Sequence, residues 1–163
     1  MFKHLYVAAS LSVLLGSGAA LAQTPEGERA LAWAHEDAGL TWAPCPDFFP
    51  KGCAIAVLHG DPTKDNADIL IRVPAGAQIP LHWHTSAERM VMVSGELEVT
   101  YEGQEATTLK PGTYAYGPAK RPHKGRCTGS VPCVLFVAFE SPVDAVPVNG
   151  AAKGSDIPRP RGP

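Results

Sequence analysis

The sequence has no excess of positive charge, no long apolar run beyond its first residues and no Cys-x-x-Cys spacing. Lys and Arg number 14 against 16 Asp and Glu, a formal net charge of −2. No basic stripe forms, which argues against a nucleic-acid partner. Lys120, Arg121, Lys124 and Arg126 do cluster. They read as a solvated hairpin edge, the alternative being a collar for an anionic ligand near His123. No segment after the N-terminus is long and apolar enough to span a membrane. No internal repeat or low-complexity block precedes the C-terminal tail.

The start of the chain is the exception to its modest hydrophobicity. Lys3 and His4 precede an apolar run, Leu5 to Leu15, and Ala20-Leu21-Ala22 forms a small-x-small cleavage site before Gln23. This pattern is that of a secretory signal peptide over residues 1–22, with a mature chain from Gln23 that carries no membrane segment. A periplasmic or secreted location follows. The remainder is the length of one domain. It divides into an N-terminal extension (residues 23–52), a folded domain (53–146) and a disordered tail (147–163) rich in Gly, Pro and charge.

Four cysteines fit an oxidising compartment. They fall into two local pairs, Cys45 with Cys53 and Cys127 with Cys133. Sequence alone leaves three connectivities open, and proximity favours the local one. Such short loops place each bridge at the low end of about 2–4 kcal/mol of stabilisation.

Glu28 to Asp37 reads as a short helix ended by Gly39. From there the pattern is all-β, short apolar or alternating runs between Gly and Pro turns. Strands are expected near Ala54–Leu58, Asp68–Val73, Ile79–His84, Arg89–Val93, Glu96–Tyr101, Glu105–Leu109, Thr113–Tyr116 and Val134–Phe139, with one more around His123. Ser94-Gly95 and Glu102-Gly103 read as tight turns, the second of the kind that needs a positive φ. Many short antiparallel strands in a chain of this size indicate a sandwich or barrel.

The most informative stretch runs from Gly76 to Gly95. His82 and His84 are two apart, so on a strand both imidazoles face one side. A turn at Thr85-Ser86 would return Glu88 to that side. Imidazole and carboxylate together suit a divalent first-row metal: iron, manganese, nickel, copper or zinc. A fourth ligand, His123, follows a Pro111-Gly112 turn, a short strand and a second turn at Gly117-Pro118.

These two stretches resemble the two motifs of the cupin superfamily. The first fits at Gly76, His82, His84, Glu88 and Gly95. The second fits at Pro111, Gly112 and His123, and departs at Lys124 to Cys127, which lacks an asparagine often found there. The phrase Val57-Leu58-His59-Gly60-Asp61-Pro62 is also similar to one found in small bacterial cupins of unknown activity. The resemblance spans roughly Cys53 to Glu140. It implies a single jelly-roll β-barrel with the metal inside one end. It also implies an activity drawn from dioxygenases, isomerases, lyases and non-catalytic binders, among which fold and ligands do not choose.

Strand alternation that turns Glu88 inward does the same for Met90 and Met92. Met90 and Tyr116 are the candidate pocket residues. Leu97, Val99 and Tyr101 share a face that reads as barrel core, and His59 reads as structural or surface. No catalytic base stands out beyond the ligand set. A lyase using a tyrosine two residues after the glutamate is disfavoured, because Met90 occupies that position. The expectation is a metal-dependent oxidoreductase or isomerase acting on a small molecule, or a metal-dependent binding or sensor module without turnover. Trp83, Val91 and Val93 are expected to face outward together with Arg89. That patch favours a homodimer, the competing reading being cover by the Trp33–Trp42 segment.

Overall fold

Polar and apolar side chains alternate along much of the chain between Trp42 and Pro147, and that two-residue period builds strands. The computed structural model describes residues 30–148. The signal peptide expected over residues 1–22, and the tail beyond Val148, lie outside the described residues.

Eleven strands are found among the described residues. The first seven are β1 (Trp42–Pro44), β2 (Ala54–His59), β3 (Ala67–Val73), β4 (Gln78–Trp83), β5 (Glu88–Ser94), β6 (Leu97–Tyr101) and β7 (Thr107–Leu109). The remaining four are β8 (Tyr114–Gly117), β9 (His123–Cys127), β10 (Cys133–Phe139) and β11 (Val146–Pro147). They form a six-stranded sheet, β1-β2-β3-β10-β5-β8, and a five-stranded sheet, β11-β4-β9-β6-β7. Strand neighbours pair antiparallel. The fold is an all-β jelly roll, as expected.

The main core takes the inward positions of both sheets. Ile69, Met90, Met92, Leu135 and Val137 come from one sheet, Leu97, Val99 and Leu109 from the other. Met92 is 1% exposed, and truncating such a side chain to alanine costs about 2–5 kcal/mol. Gly95 shows why the β5–β6 turn tolerates no side chain. Its φ is +78°, and a Cβ there would sit 2.7 Å from the Pro132 carbonyl oxygen. Gly103 also adopts the positive φ expected of its turn, +74°.

Both disulfides are local. Cys45 bonds Cys53 and Cys127 bonds Cys133, with Cα atoms 5.4 and 5.7 Å apart. The first closes a loop that leads from β1 into β2. The second pins the turn between β9 and β10.

Three expectations are corrected. The helix over residues 28–37 does not form among the described residues 30–37, which make turns instead. Asp37 takes the Ala34 N–H on its carboxylate at 2.6 Å, a local bond that competes with helix formation. Leu31 and Trp33 stay exposed, so no packed apolar face supports a helix there. The extension before residue 53 also contributes a strand, β1, too short and too close to Pro44 to read from pattern. Proline is tolerated because β1 is an edge strand, and Trp42 on it receives the Arg72 guanidinium 4.2 Å from its ring centre. Pro147, expected to open the tail, instead pairs with His82 in β11.

Trp83, Val91 and Val93 do not make one patch. Trp83 lies in the five-stranded sheet and the two valines in the six-stranded sheet. Val93 packs against a second apolar cluster built on Ala56, Leu70 and Val134, together with Leu40 and Trp42. Val91 instead stands beside Tyr114, its partner across β8.

Candidate metal centre

Strand register brings the expected ligands together. His82 is the penultimate residue of β4 and pairs with His123, the first residue of β9. His84 follows β4 directly. Glu88 opens β5, between Phe139 of β10 and Gly117 of β8. All four are buried, at 3, 9, 5 and 7% exposure for His82, His84, Glu88 and His123.

One nitrogen from each imidazole lies within 4.8 Å of the others. The Glu88 carboxylate reaches two of them, with Oε2 3.5 Å from His84 Nε2 and Oε1 3.3 Å from His123 Nε2. The other nitrogens are all held by backbone. Nδ1 of His82 donates to the Pro80 carbonyl at 2.7 Å, Nδ1 of His123 to the Arg121 carbonyl at 3.1 Å, and Nδ1 of His84 to the Asp144 carbonyl. A carbonyl only accepts, so each Nδ1 carries a proton, and in the neutral imidazole the lone pair is then on Nε2. Carbonyl acceptors of this kind fix tautomer and ring orientation in histidine metal sites. The donor set therefore fits a divalent transition ion: three convergent imidazole lone pairs and a carboxylate in one buried pocket.

Burial reinforces the neutral, ligating form. It pushes the His82 pKa down to about 2, helped by His123 and His84. Burial also lowers His123, against the opposing pull of Glu88. Tyr101 moves the other way. Burial first, then the Glu88 charge and a hydrogen bond, raise its pKa, so the phenol stays protonated and donates to Glu88 Oε1 at 2.7 Å.

The cavity in front of these groups is mostly hydrocarbon, with Met90 among its walls. Tyr116 is not among them. It is 54% exposed and Tyr114 60%, because β8 turns Ala115 and Gly117 inward. The pocket tyrosine is Tyr101, which pairs with His123 across β6 and β9. Its signal was present in the sequence, on the face it shares with Leu97 and Val99. Phe49 and Asp144 also line the cavity and had no legible signal. Phe49 meets His82 edge-on, ring centres 5.2 Å apart, and is delivered by the loop that the Cys45–Cys53 bridge closes. His59 ends β2, exposed and away from the cavity lining.

The basic cluster is solvent-exposed but is not a hairpin edge, because β9 is the central strand of its sheet, paired with β4 and β6. Lys124 and Arg126 alternate outward from His123 along β9 and are exposed. Arg121 donates to the Glu102 carbonyl at 2.9 and 3.2 Å.

Residues 69–139 match the family model described as cupin domain, which together with the fold supports the cupin superfamily. Among solved structures it is similar to the DMSP lyase DddQ from Ruegeria pomeroyi DSS-3, with 24% identity over 69% of this chain and 64% of that one, TM-score 0.58. It is also similar to oxalate decarboxylase from Bacillus subtilis, with 24% identity over 63% of this chain and 29% of that one, TM-score 0.54. A third is the Cnp3 cupin domain of Schizosaccharomyces pombe, with 17% identity over 57% of this chain and 67% of that one, TM-score 0.51. The chain spans less than two thirds of the length of the lyase and less than one third of the decarboxylase. At these identities the likeness carries the fold alone. No curated protein matches the sequence.

Proposed function

We propose that this chain is a secreted or periplasmic cupin that holds a divalent transition metal on His82, His84, Glu88 and His123 and acts on a small molecule there, as a dioxygenase or an isomerase-like enzyme. The observation that carries this reading is the cluster of three imidazoles, one nitrogen of each within 4.8 Å of the others and each Nδ1 held by a backbone carbonyl, with Glu88 beside His84 and His123. A metal so bound would supply Lewis acidity and open positions for a ligand. The chain itself orients the ligands, keeps His82 and His123 neutral and excludes water with an apolar wall. Two disulfides among the described residues support an oxidising compartment.

A second reading is binding without turnover. It is favoured by the pairing of Tyr101 with Glu88, which leaves neither group free to act as a general base. Dioxygen uptake by the metal-loaded protein, on addition of a diphenol, a diketone or a thiol, separates the two. Uptake with any of these supports the enzyme. Tight binding of one of them without uptake or product supports the binding module.

A further inference from the structure

If the metal reading holds, the walls of the same cavity define what kind of molecule joins the ion. Beyond the ligands they are hydrocarbon, from Ile69, Met90, Leu97, Val99, Leu135 and Val137 among others. No lysine or arginine lines the cavity among the described residues. The polar side chains that do are already engaged. Tyr101 donates to Glu88. The Asp144 carboxylate accepts the Thr85 N–H at 2.8 Å and the Thr85 hydroxyl. The nearby basic residues point elsewhere, with Arg121 on the Glu102 carbonyl and Lys124 and Arg126 on the outer face of β9.

Formal charge then decides the ligand class. A divalent ion with one carboxylate and three neutral imidazoles leaves a single positive charge in an apolar enclosure. A monoanionic ligand cancels it. A dianion reverses it, with no cation in the wall to answer and the Asp144 carboxylate nearby. Uncompensated charge in such surroundings is strongly disfavoured. We infer that the site takes a monoanionic oxygen chelator with a hydrocarbon body, of the enolate or hydroxyketone class, and discriminates against dicarboxylates.

Tropolone and oxalate test this directly. Both chelate through a five-membered ring. At mildly alkaline pH the first is a monoanion with a hydrocarbon ring and the second a dianion with none. Their affinities are measured by titration calorimetry on zinc-loaded protein, and again for the aqueous zinc ion in the same buffer. The protein is expected to raise the tropolone-to-oxalate ratio by roughly tenfold or more over that of the free ion. A ratio equal to or below the free ion's overturns the inference. So does equal tropolone binding by metal-free protein, which would show that chelation is not the mode of binding. Zinc content determined on the same sample keeps the two readings apart, since a protein that holds no zinc defeats the metal centre itself.

Discussion

The Tyr101 hydroxyl donates a 2.7 Å hydrogen bond to Oε1 of Glu88, the same oxygen that lies 3.3 Å from His123 Nε2. A buried carboxylate is thus held by a neutral donor on the opposite sheet, and its orientation toward the imidazoles depends on that donor. Replacing Tyr101 with Phe keeps the ring and removes the bond. Losing a hydrogen bond that orients a metal-binding side chain typically weakens metal binding about 10–100-fold. The variant should stay folded and show that loss in a competitive chelator titration, while unchanged affinity would remove Tyr101 from the support of the site.

Gly117 sits opposite Glu88 in the β5–β8 ladder. A Cβ there would lie 2.5 Å from Glu88 Oε1, 2.6 Å from Glu88 Cγ and against the Tyr101 hydroxyl. The constraint is contact with the Glu88 side chain, not backbone conformation. Gly117→Ala should therefore reduce metal affinity at least as much as Tyr101→Phe. Wild-type affinity in a folded Gly117→Ala protein would show that Glu88 can move without consequence.

The lowered histidine pKa values set a pH dependence for the metal-free protein. His82 falls from 6.5 to about 2 in the folded chain, and His123 moves in the same direction. As pH drops below 6.5 the unfolded chain takes up these protons while the folded chain does not, so stability falls with pH. Each histidine contributes a slope of up to about 1.4 kcal/mol per pH unit. Melting temperature should decline from about pH 7.5 to 5, and bound metal should raise the whole curve without removing the decline, because the native imidazoles carry no extra proton with or without it. A flat profile for the metal-free protein contradicts the buried neutral histidines.

The outer face of β5 and β8 bears Val91 at 36% exposure beside Tyr114 and Tyr116. β8 ends its sheet, and exposed aromatic and aliphatic groups on such a strand favour an interface. We propose a homodimer through this face in place of the patch with Trp83 expected from the sequence. Light scattering should give a dimer mass for the wild type and a monomer mass for a Tyr114→Lys, Tyr116→Lys variant. A monomeric wild type at low micromolar concentration would end that expectation.

Much of the fold was legible because alternation is a local signal. The eight strands and the one around His123 were each found, and the spacing of His82, His84 and Glu88 carried over into one pocket. What escaped depended on contacts distant in sequence. β11 exists because Val146 and Pro147 meet Trp83 and His82. The outward turn of Tyr116 goes with its pairing to Arg89 across β5 and β8, which no local pattern shows. The helix expected to end at Asp37 failed because the Asp37 side chain and an uncovered surface outweigh a propensity argument.

The central claim is that His82, His84, Glu88 and His123 hold one metal ion together. Elemental analysis of protein purified from its native compartment tests it most directly, with single alanine variants at His84 and at His59. Close to one ion per chain in the wild type and in His59→Ala, with sharp loss in His84→Ala, is the expected result. Full metal retention in His84→Ala, or equal loss in His59→Ala, would contradict it.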